Sequence, residues 1–453
     1  MKKRWIYGII IFLSITSIGL AIDWWSALPE GEQASYVGRQ TCFQCHQKEA
    51  AEWKDSDHDL AMNPATPEFV LGDFDNTELE HFGITSQMTH EGDKYYVTTQ
   101  GPDGKQARFE VKYVIGVRPL QQYLAELERG RIQVLPVTWD TEMKRWYYVG
   151  LDEPFGPDDP LHWTGSAQNW NHMCAECHTT NWAKNYDVAT DAHHFSFSEM
   201  RVSCEACHGP GSIHVKLANS HSLFWDRRYG YGLAKLKGKD ATAQLESCAP
   251  CHSHRRHVAP GHTPLERFHD HYALSLLDDH LYHPDGQINE EVYVFGSFTQ
   301  SKMYRKGVRC TDCHNPHSLK LKFTGNKLCT QCHLEARYDV PSHHHHKMGT
   351  KGAACVECHM PSKTYMGVDP RRDHSLRIPR PDLTVKLGTP NACNQCHTKA
   401  EENAEWATHK VEEWYGPKRR DDPHYGEILA AGRAGKSEAE QSLIKLTREK
   451  EVG

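Results

Sequence analysis

The chain has 453 residues, a formal net charge of −7 and 38% hydrophobic residues, a share below the average of about 45–50% for soluble proteins. Its acidic balance and the lack of a long basic tract argue against a nucleic-acid-binding protein. A chain this polar is also short of the apolar side chains that build an ordinary hydrophobic core.

The N-terminal segment combines a cationic start with an apolar run. Three basic residues at positions 2–4 precede residues 5–22, which are mostly apolar. This pattern predicts an export signal, although the run also reaches the lower length limit of a membrane-spanning helix. We expect residues 1–22 to be a signal peptide cleaved near positions 19–21, with a retained anchor as the alternative. Both predict a periplasmic or otherwise extracytoplasmic protein.

Every cysteine of the chain lies in one of eight C-x-x-C-H pentads. The cysteines are Cys42, Cys45, Cys174, Cys177, Cys204, Cys207, Cys248, Cys251, Cys310, Cys313, Cys329, Cys332, Cys355, Cys358, Cys393 and Cys396. The histidines that end the pentads are His46, His178, His208, His252, His314, His333, His359 and His397.

This pentad is the attachment signal for covalently bound haem. Its two thiols form thioethers with one porphyrin, and its histidine is placed to bind the iron as the proximal ligand. A zinc ribbon or a disulfide framework is the alternative for paired cysteines, but neither requires a histidine after every pair. We therefore predict eight haem c groups per chain, whose flat apolar rings would supply the buried surface that the polypeptide lacks.

The spacing of the pentads predicts the organisation of the chain. The first pentad lies in a segment at residues 36–65, and the other seven crowd into residues 161–398. Intervals this short leave no room for separate domains, so we expect one packed haem array. A β-rich insertion is predicted at residues 80–150, and a helical tail at residues 399–453.

Alternating apolar residues and turn signals support that insertion. Candidate strands lie at residues 95–99, 109–113, 132–137 and 146–149. We expect a small antiparallel sheet that covers a haem face; a substrate-channel wall or a docking surface is the alternative. In the tail, residues 404–414 have helical apolar spacing, and Ser437 and Glu440 match a capping box. The predicted fold is a multihaem cytochrome c of short helices and loops around a haem array, with this β-subdomain and tail.

A second histidine close to a pentad predicts a link between neighbouring haems. His317 lies three residues after His314, too close to reach the opposite face of the same ring. We therefore expect His317 to bind the iron of an adjacent haem. His214 follows His208 across a Gly-Pro-Gly turn and suits the same role.

Other histidines are candidates for the remaining distal positions. The candidates are His58 in a predicted helix at residues 49–60, His162, His271, His283, His374, and one member of the run at residues 343–346, represented by His344 and His345. Met62, Met173 and Met360 are weaker candidates, because packing in a core is the commoner role of methionine.

Several stretches around these residues resemble a known family. They are YVGRQTCFQCH, DSDHDLAM, DPLHWTGSAQNWNHMCAECHTTN, CEACHGPGSIHV, YHPDGQINEEVYVFGSFTQSKM, CTDCHNPHSLKL, HHHHKMGTKGAACVECHMP and DPRRDHSLRIPRPDLTVKLGTPNACNQCH. The chain resembles bacterial multihaem c-type cytochromes that often carry C-terminal tetratricopeptide repeats and are related to octahaem hydroxylamine oxidoreductases. The resemblance implies eight haems and strengthens the distal candidates above. Only about 55 residues follow the last pentad, which leaves little room for such repeats.

Two functions follow from these features. We favour electron transfer along closely packed haems, with other cytochromes or a quinol-linked membrane donor as redox partners; a docking module in a longer chain of haems is a variant of the same idea. The alternative is an oxidoreductase that acts on a small nitrogen or sulfur compound, such as nitrite, hydroxylamine or tetrathionate, at a haem with an open distal side. Arg118, Tyr113 and His172 are candidate pocket residues for that enzyme, and no pentad ends in lysine.

Overall fold

The computed structural model describes residues 2–26, 31–150, 153–224, 232–238, 240–264, 266–417 and 424–448. The chain begins with one long helix, Lys2–Ser26, whose described side chains are exposed except for the half-buried Asp23. It continues into an antiparallel sheet and then into a long series of short helices that carries seven of the eight pentads.

The sheet has eight antiparallel strands. They are β1 (Met62–Pro64), β2 (Thr77–His81), β3 (Ile84–Glu91), β4 (Lys94–Gln100), β5 (Gln106–Ile115), β6 (Leu120–Glu126), β7 (Ile132–Asp140) and β8 (Arg145–Tyr148). Strands β2 to β8 pair in sequence order, and β1 pairs with β5. The indole of Trp146 in β8 donates hydrogen bonds to the Asp73 carbonyl (2.8 Å) and to Thr77 Oγ1 at the start of β2 (3.0 Å). The two outer strands therefore meet, and the sheet is nearly a barrel.

The predicted antiparallel sheet is confirmed but is larger than expected. The prediction missed β1, β2, β3 and β6. Strands β2 and β3 contain many polar residues, whereas β1 has only three residues and β6 is almost entirely buried. Strand β2, for example, is TELEH, in which only alternate residues are partly buried. Polar side chains on the outer face hid the periodicity that a strand prediction uses.

The sheet encloses its own hydrophobic core. Met88, Val97 and Tyr123 have no exposed surface, and Leu135 and Trp139 complete the same cluster. Burial of one such side chain contributes about 1.5–3 kcal/mol. The sheet therefore has a hydrophobic core made of side chains alone.

A second apolar cluster joins the sheet to the second pentad. Met62, Leu124 and Ile132 pack against Trp170, which is fully buried, and against Ala175 within the pentad itself. Strand β7 is buried along nearly all of its length because it packs against both clusters. The β-subdomain is thus fixed rigidly to the second pentad.

The remaining helices before the tail are short, and the longest has 11 residues. They are Arg39–Phe43, Gln47–Trp53, Trp170–Met173, Ala175–His178, Cys204–His208, Ser212–Ala218, Thr242–His252, Phe268–His271, Phe295–Thr299, Lys302–Arg305, Cys310–Cys313, Lys327–Thr330, Glu335–Tyr338, Pro341–His344, Cys355–His359 and Pro381–Leu387. Single 3₁₀ turns lie at Glu128–Gly130, Ser166–Gln168, Lys351–Ala353 and Cys393–Gln395. Three small hairpins pair Tyr186–Asp187 with Ala192–His193, Arg255–His257 with Tyr272–Leu274, and Ser362–Tyr365 with Asp369–Arg372.

One helix near the first pentad is shorter than predicted. The helix expected at residues 49–60 ends at Trp53, because Lys54 is extended and Asp55 has a φ of 62°. His58 therefore lies in a turn after the helix.

The C-terminal tail is helical, as predicted, with helices at Ala404–Tyr415, Tyr425–Arg433 and Ala439–Leu446. The side chain of Asn403 caps the first helix by accepting from the Trp406 N–H (3.0 Å), and Gly416, with a φ of 81°, follows its last residue. The predicted capping box at Ser437 is wrong. The helix begins at Ala439 after Glu438, and no side chain caps it.

Candidate haem-binding sites

Each pentad forms one turn of helix or a close equivalent. The His46 N–H donates to the Cys42 carbonyl (3.0 Å), and the same bond from the fifth residue to the first recurs at His314 (2.9 Å) and His333 (3.0 Å). Residues i, i+3 and i+4 share one face of a helical turn. Both thiols and the imidazole of a pentad can therefore bind the same ligand.

The described residues do not support the zinc and disulfide alternatives. All 16 cysteines are free of disulfide bonds. Across the described ranges, there is also no group of three or more histidine, cysteine or acidic side chains that could hold a metal ion.

Five pentad histidines face a second histidine across a constant gap. The pairs, with their ring-centre distances, are His46 with His214 (6.1 Å), His252 with His58 (6.3 Å), His314 with His374 (6.4 Å), His359 with His343 (6.3 Å) and His397 with His346 (6.0 Å). An imidazole nitrogen binds a transition metal at about 2 Å. Two imidazoles on opposite sides of one metal ion then have ring centres about 6 Å apart. The gaps therefore fit an iron with two histidine ligands.

Backbone carbonyls orient several of these rings. Nδ1 of His359 lies 2.8 Å from the Arg377 carbonyl, Nδ1 of His374 lies 2.9 Å from the Arg372 carbonyl, and Nδ1 of His178 lies 2.9 Å from the Ala61 carbonyl. A carbonyl can only accept, so Nδ1 carries the proton. Nε2 is then the nitrogen available to a metal.

Burial favours the neutral form of two of these histidines, which is the form that binds iron. Burial, together with the neighbouring His252 and His178, lowers the pKa of His58 to about 4. Burial likewise lowers the pKa of His208 to about 4, with His317 as the next cause. At physiological pH, His58 and His208 can therefore act as neutral nitrogen ligands.

One of the two histidines close to pentads lies beside a different pentad. His214 follows the third pentad and faces His46 of the first. His317 follows the fifth pentad, and its Nδ1 is 3.6 Å from a carboxylate oxygen of Glu52 in the helix after the first pentad. No ring contact among the described residues joins His317 to a pentad histidine.

Three other candidates are not brought to a pentad histidine by any ring contact among the described residues. His162 is buried, with Nδ1 2.8 Å from Thr164 Oγ1. His271 lies 3.4 Å from a Glu266 carboxylate oxygen, and its ring is 5.3 Å from that of His262. Burial lowers the pKa of His283, and the nearby Asp285 opposes the change.

In the four-histidine run at residues 343–346, the residues that face pentad histidines are not the two that we chose from the sequence. His343 and His346 face pentad histidines, whereas the chosen His344 and His345 do not. His344 Nε2 lies 3.2 Å from the sulfur of Met348, and the His345 ring stacks on Trp414 at 4.2 Å. The backbone explains this arrangement, because the helix Pro341–His344 ends at His345, which is left-handed with a φ of 55°.

Three pentad histidines, His178, His208 and His333, have no second histidine ring opposite them among the described residues. His178 is half-buried, with Nδ1 2.9 Å from the Ala61 carbonyl, and His333 is exposed, with the Tyr338 ring 5.7 Å away and nearly perpendicular. At these three positions the ring contacts bring no second histidine to the pentad.

The candidate pocket residues are not brought together. Arg118 pairs with Asp57 (2.6 Å), and Tyr113 packs at the edge of the second cluster. The His172 ring lies 5.0 Å from that of His193. Among the methionines, Met62 is fully buried in the sheet core and Met173 is exposed, while Met360 accepts a hydrogen bond from Arg372 (3.0 Å) through its carbonyl.

Hydrogen bonds of the pentads and of the residues beside them connect seven pentads in a continuous series. In the first half of the series, the contacts join the first pentad to the third (Gly38 N–H to Glu205, 2.8 Å), the third to the fourth (Ser247 Oγ to the Cys207 carbonyl, 3.1 Å) and the fourth to the fifth (Thr311 Oγ1 to Gln244 Oε1, 2.8 Å). In the second half, they join the fifth to the sixth (Gln331 Nε2 to the Asp312 carbonyl, 3.3 Å), the sixth to the seventh (Cys355 N–H to Asn326 Oδ1, 2.9 Å) and the seventh to the eighth (Gln395 Nε2 to the Ser362 carbonyl, 2.9 Å). The second pentad joins at the fourth, where Cys177 Sγ lies 3.9 Å from the Pro250 carbonyl.

The segment at residues 36–65 packs beside the third pentad. The Gly38 N–H donates to Glu205 (2.8 Å), and the indole of Trp53 donates to the Val202 carbonyl (3.0 Å).

Known families and structures match this arrangement. The doubled CXXCH motif family matches residues 302–338, and the family of cytochrome c554 and c-prime matches residues 161–209. The crystal structure of the outer cell wall cytochrome OcwA is 19% identical, with a TM-score of 0.56 and 91% coverage of both chains. The chain has the motifs and the fold of a multihaem c-type cytochrome.

Other solved structures match this chain less well. The undecahaem cytochrome from the S-layer of Carboxydothermus ferrireducens is 17% identical, with a TM-score of 0.42 over 89% of this chain and 66% of that one. The Wolinella succinogenes octahaem sulfite reductase MccA is 16% identical, with a TM-score of 0.32 over 76% of this chain and 59% of that one. No curated protein matches the chain at a significant level of sequence similarity.

Proposed function

We propose that this chain is an extracytoplasmic octahaem c-type cytochrome that transfers electrons along a closely packed series of haems. The facing histidine pairs, 6.0–6.4 Å apart, carry this proposal. An iron held between two histidines has no free position for a substrate, and a bis-histidine haem is suited to electron transfer.

The facing rings supply candidate ligand sets for five irons, and we propose a sixth set from the sequence prediction for His317. We assign the five facing pairs to five irons, and His208 with His317 to a sixth. The predicted distal ligands His58, His214, His317 and His374 keep their role in this proposal, while His343 and His346 take the place of His344 and His345. His162, His271 and His283 are not assigned to any iron in this proposal.

The contacts between pentads define the path of the electrons. We propose the order first, third, fourth, fifth, sixth, seventh and eighth haem, with the second haem as a branch at the fourth. Hydrogen bonds between neighbouring pentads or the residues beside them would fix the spacing of their haems, and fast transfer between centres needs such closeness and rigidity. Other cytochromes or a quinol-linked membrane donor are the proposed partners at the ends of the path.

The alternative function would use an iron without a second histidine. The pentads that end in His178 and His333 are the two places where a small nitrogen or sulfur compound could reach the metal. His178 is the better candidate for an enclosed site, because it is half-buried between the sheet and the fourth pentad, whereas His333 is exposed.

Voltammetry of the protein adsorbed on an electrode distinguishes the two functions. For an electron-transfer protein we expect a broad reversible wave from eight haems that is unchanged by nitrite, hydroxylamine or tetrathionate. A catalytic current with one of these compounds would support the enzyme instead.

A further inference from the structure

The N-terminal helix has the dimensions of a membrane span. Its mainly apolar section, Arg4–Trp25, has 22 residues, none of which is buried within the protein. At 1.5 Å per residue this section is about 33 Å long, close to the hydrocarbon thickness of about 30 Å. The apolar core of a cleaved signal peptide has about 7–15 residues, so this helix is longer than export requires.

Aromatic residues mark both ends of the span. Trp5 and Tyr7 lie in the first turns, and Trp24 and Trp25 lie in the last turn. Trp5 and Trp24 are about 28 Å apart along the helix axis. Tryptophan and tyrosine concentrate at the two membrane–water interfaces, and a signal peptide has no need for a second aromatic belt after its apolar core.

The few polar groups are compatible with lipid. The hydroxyl of Thr16 donates to the Phe12 carbonyl (2.8 Å), so it is satisfied within the helix. The acidic residue Asp23 lies next to Trp24, at the level of the outer interface.

We propose that residues 4–25 are retained as a single membrane anchor. The basic residues at positions 2–4 place the N-terminus on the cytoplasmic side, which puts the haem-binding body on the other side of the membrane. This orientation agrees with the extracytoplasmic attachment of haem.

The outer end of the helix contacts a defined part of the body. Asp23 accepts a hydrogen bond from the Leu223 N–H (2.8 Å), and the Trp24 ring packs edge-on against Phe224 at 5.4 Å. This contact lies shortly after the helix Ser212–Ala218, which follows the third pentad.

The chain after the anchor runs along that same helix. Lys216 pairs with Glu32 (2.9 Å), and the Ser35 N–H donates to Ser212 Oγ (2.8 Å). The Gly38 N–H then donates to Glu205 of the third pentad (2.8 Å), four residues before the first pentad begins at Cys42. The segment after the anchor therefore connects the anchor to the third pentad and then to the first.

The position of the anchor thus indicates where electrons enter the protein and what kind of donor supplies them. We assign electron input to the haems of the first and third pentads, and the donor class to a membrane-embedded redox protein or quinol. This assignment rests on the proposed electron-transfer function, whereas retention of the helix does not.

Cell fractionation and intact-mass measurement of the native protein test retention. We expect the protein in the membrane fraction, released by detergent but not by high salt, with residues 4–25 present in its mass. A soluble protein whose first residue lies beyond position 19 would overturn the anchor.

Exchange of the helix tests the site of electron input. Residues 2–26 are replaced by a cleavable export leader, and a matched control carries an unrelated single-span helix of equal length. In membranes supplied with quinol, we expect at least a tenfold slower reduction of the leader variant and a normal rate for the control. An unchanged rate in the leader variant would overturn the assignment. Reduction by dithionite is measured in parallel, because haems that fail to respond to it would contradict the electron-transfer function rather than the anchor.

Discussion

The sheet region (residues 62–148) and the motif region (residues 170–397) obtain their buried surface in different ways. The sheet region packs large apolar side chains against one another, including Tyr123, Leu135 and Trp139. The motif region has two smaller clusters, centred on Phe268 and Tyr282, and its helices are too short to be stable alone. The comparison indicates that the sheet folds on side-chain packing, whereas the motif region depends on its haems.

Withholding haem gives the largest expected contrast. In protein produced without haem attachment, we expect amides of the motif region to exchange rapidly with deuterium while those of the sheet region stay protected. The reason is that the sheet core is made of side chains alone. Hydrogen exchange read by mass spectrometry measures both regions in one sample, with the haem-loaded protein as the reference. Equal protection of the two regions without haem would contradict the claim that only the motif region depends on haem.

Truncation of the sheet core should affect only the sheet. Tyr123→Ala removes a fully buried ring, and we expect it to destabilise the sheet by about 3–5 kcal/mol. The matched control is Met143→Ala, because Met143 is 68% exposed. Denaturant unfolding followed by tryptophan fluorescence gives the stability, while the haem absorption at low denaturant should not change. A loss of haem absorption in Tyr123→Ala alone would show that the two regions are not separable.

Loss of a facing histidine should change one haem only. His374→Ala leaves the iron of His314 with one ligand, so we expect about one-eighth of the haem to become high-spin, visible by electron paramagnetic resonance. The control is His409→Ala, whose side chain is exposed and faces Glu412 (3.4 Å). An unchanged spin state in His374→Ala would remove the pair from the proposal.

Acid should weaken the sheet through Asp140. The backbone N–H of Met143 (2.9 Å) and that of Glu142 (3.1 Å) donate to its carboxylate and, together with Arg145, lower its pKa although the residue is buried. A pKa lowered by folding adds stability above the unfolded value, and this stability is lost as the pH falls toward the folded value. We expect Asp140→Asn to cost about 1 kcal/mol at pH 7 and less at pH 3. Urea unfolding at both pH values measures this, and an equal cost at both would contradict the charge argument.

The smallest effect is expected in the tail. Asn403→Ala removes the helix cap at Trp406 and should cost about 1 kcal/mol, confined to the terminal helices. The neutral control is Ser437→Ala, because no side chain caps the last helix. Limited proteolysis should release the tail sooner in Asn403→Ala only, and a change in the haem spectrum would show that the tail supports the array.

The parts of the site set by local sequence were predictable, and those set by distant contacts were not. A pentad is read directly because five consecutive residues form one turn. The partner of His252 is His58, far away in the sequence, and only the folded chain brings them together. In the run at residues 343–346, four identical residues hide the left-handed turn at His345 that decides which rings face a pentad.

Strand prediction failed for a related reason. Strands β2 and β3 carry polar residues such as Glu78 and Gln87 on the outer face, which pair with each other across the strands. Long apolar strands such as β7 were found because both faces are buried. Periodicity thus reports burial, and a strand with little burial gives little signal.

Spin quantitation of the oxidised protein tests the central claim most directly. The measurement combines haem content by pyridine haemochrome with electron paramagnetic resonance of the same sample. The account predicts eight haems per chain, with at least six in the low-spin state of two nitrogen ligands. Fewer than eight haems, or high-spin signal from half of them or more, would contradict it.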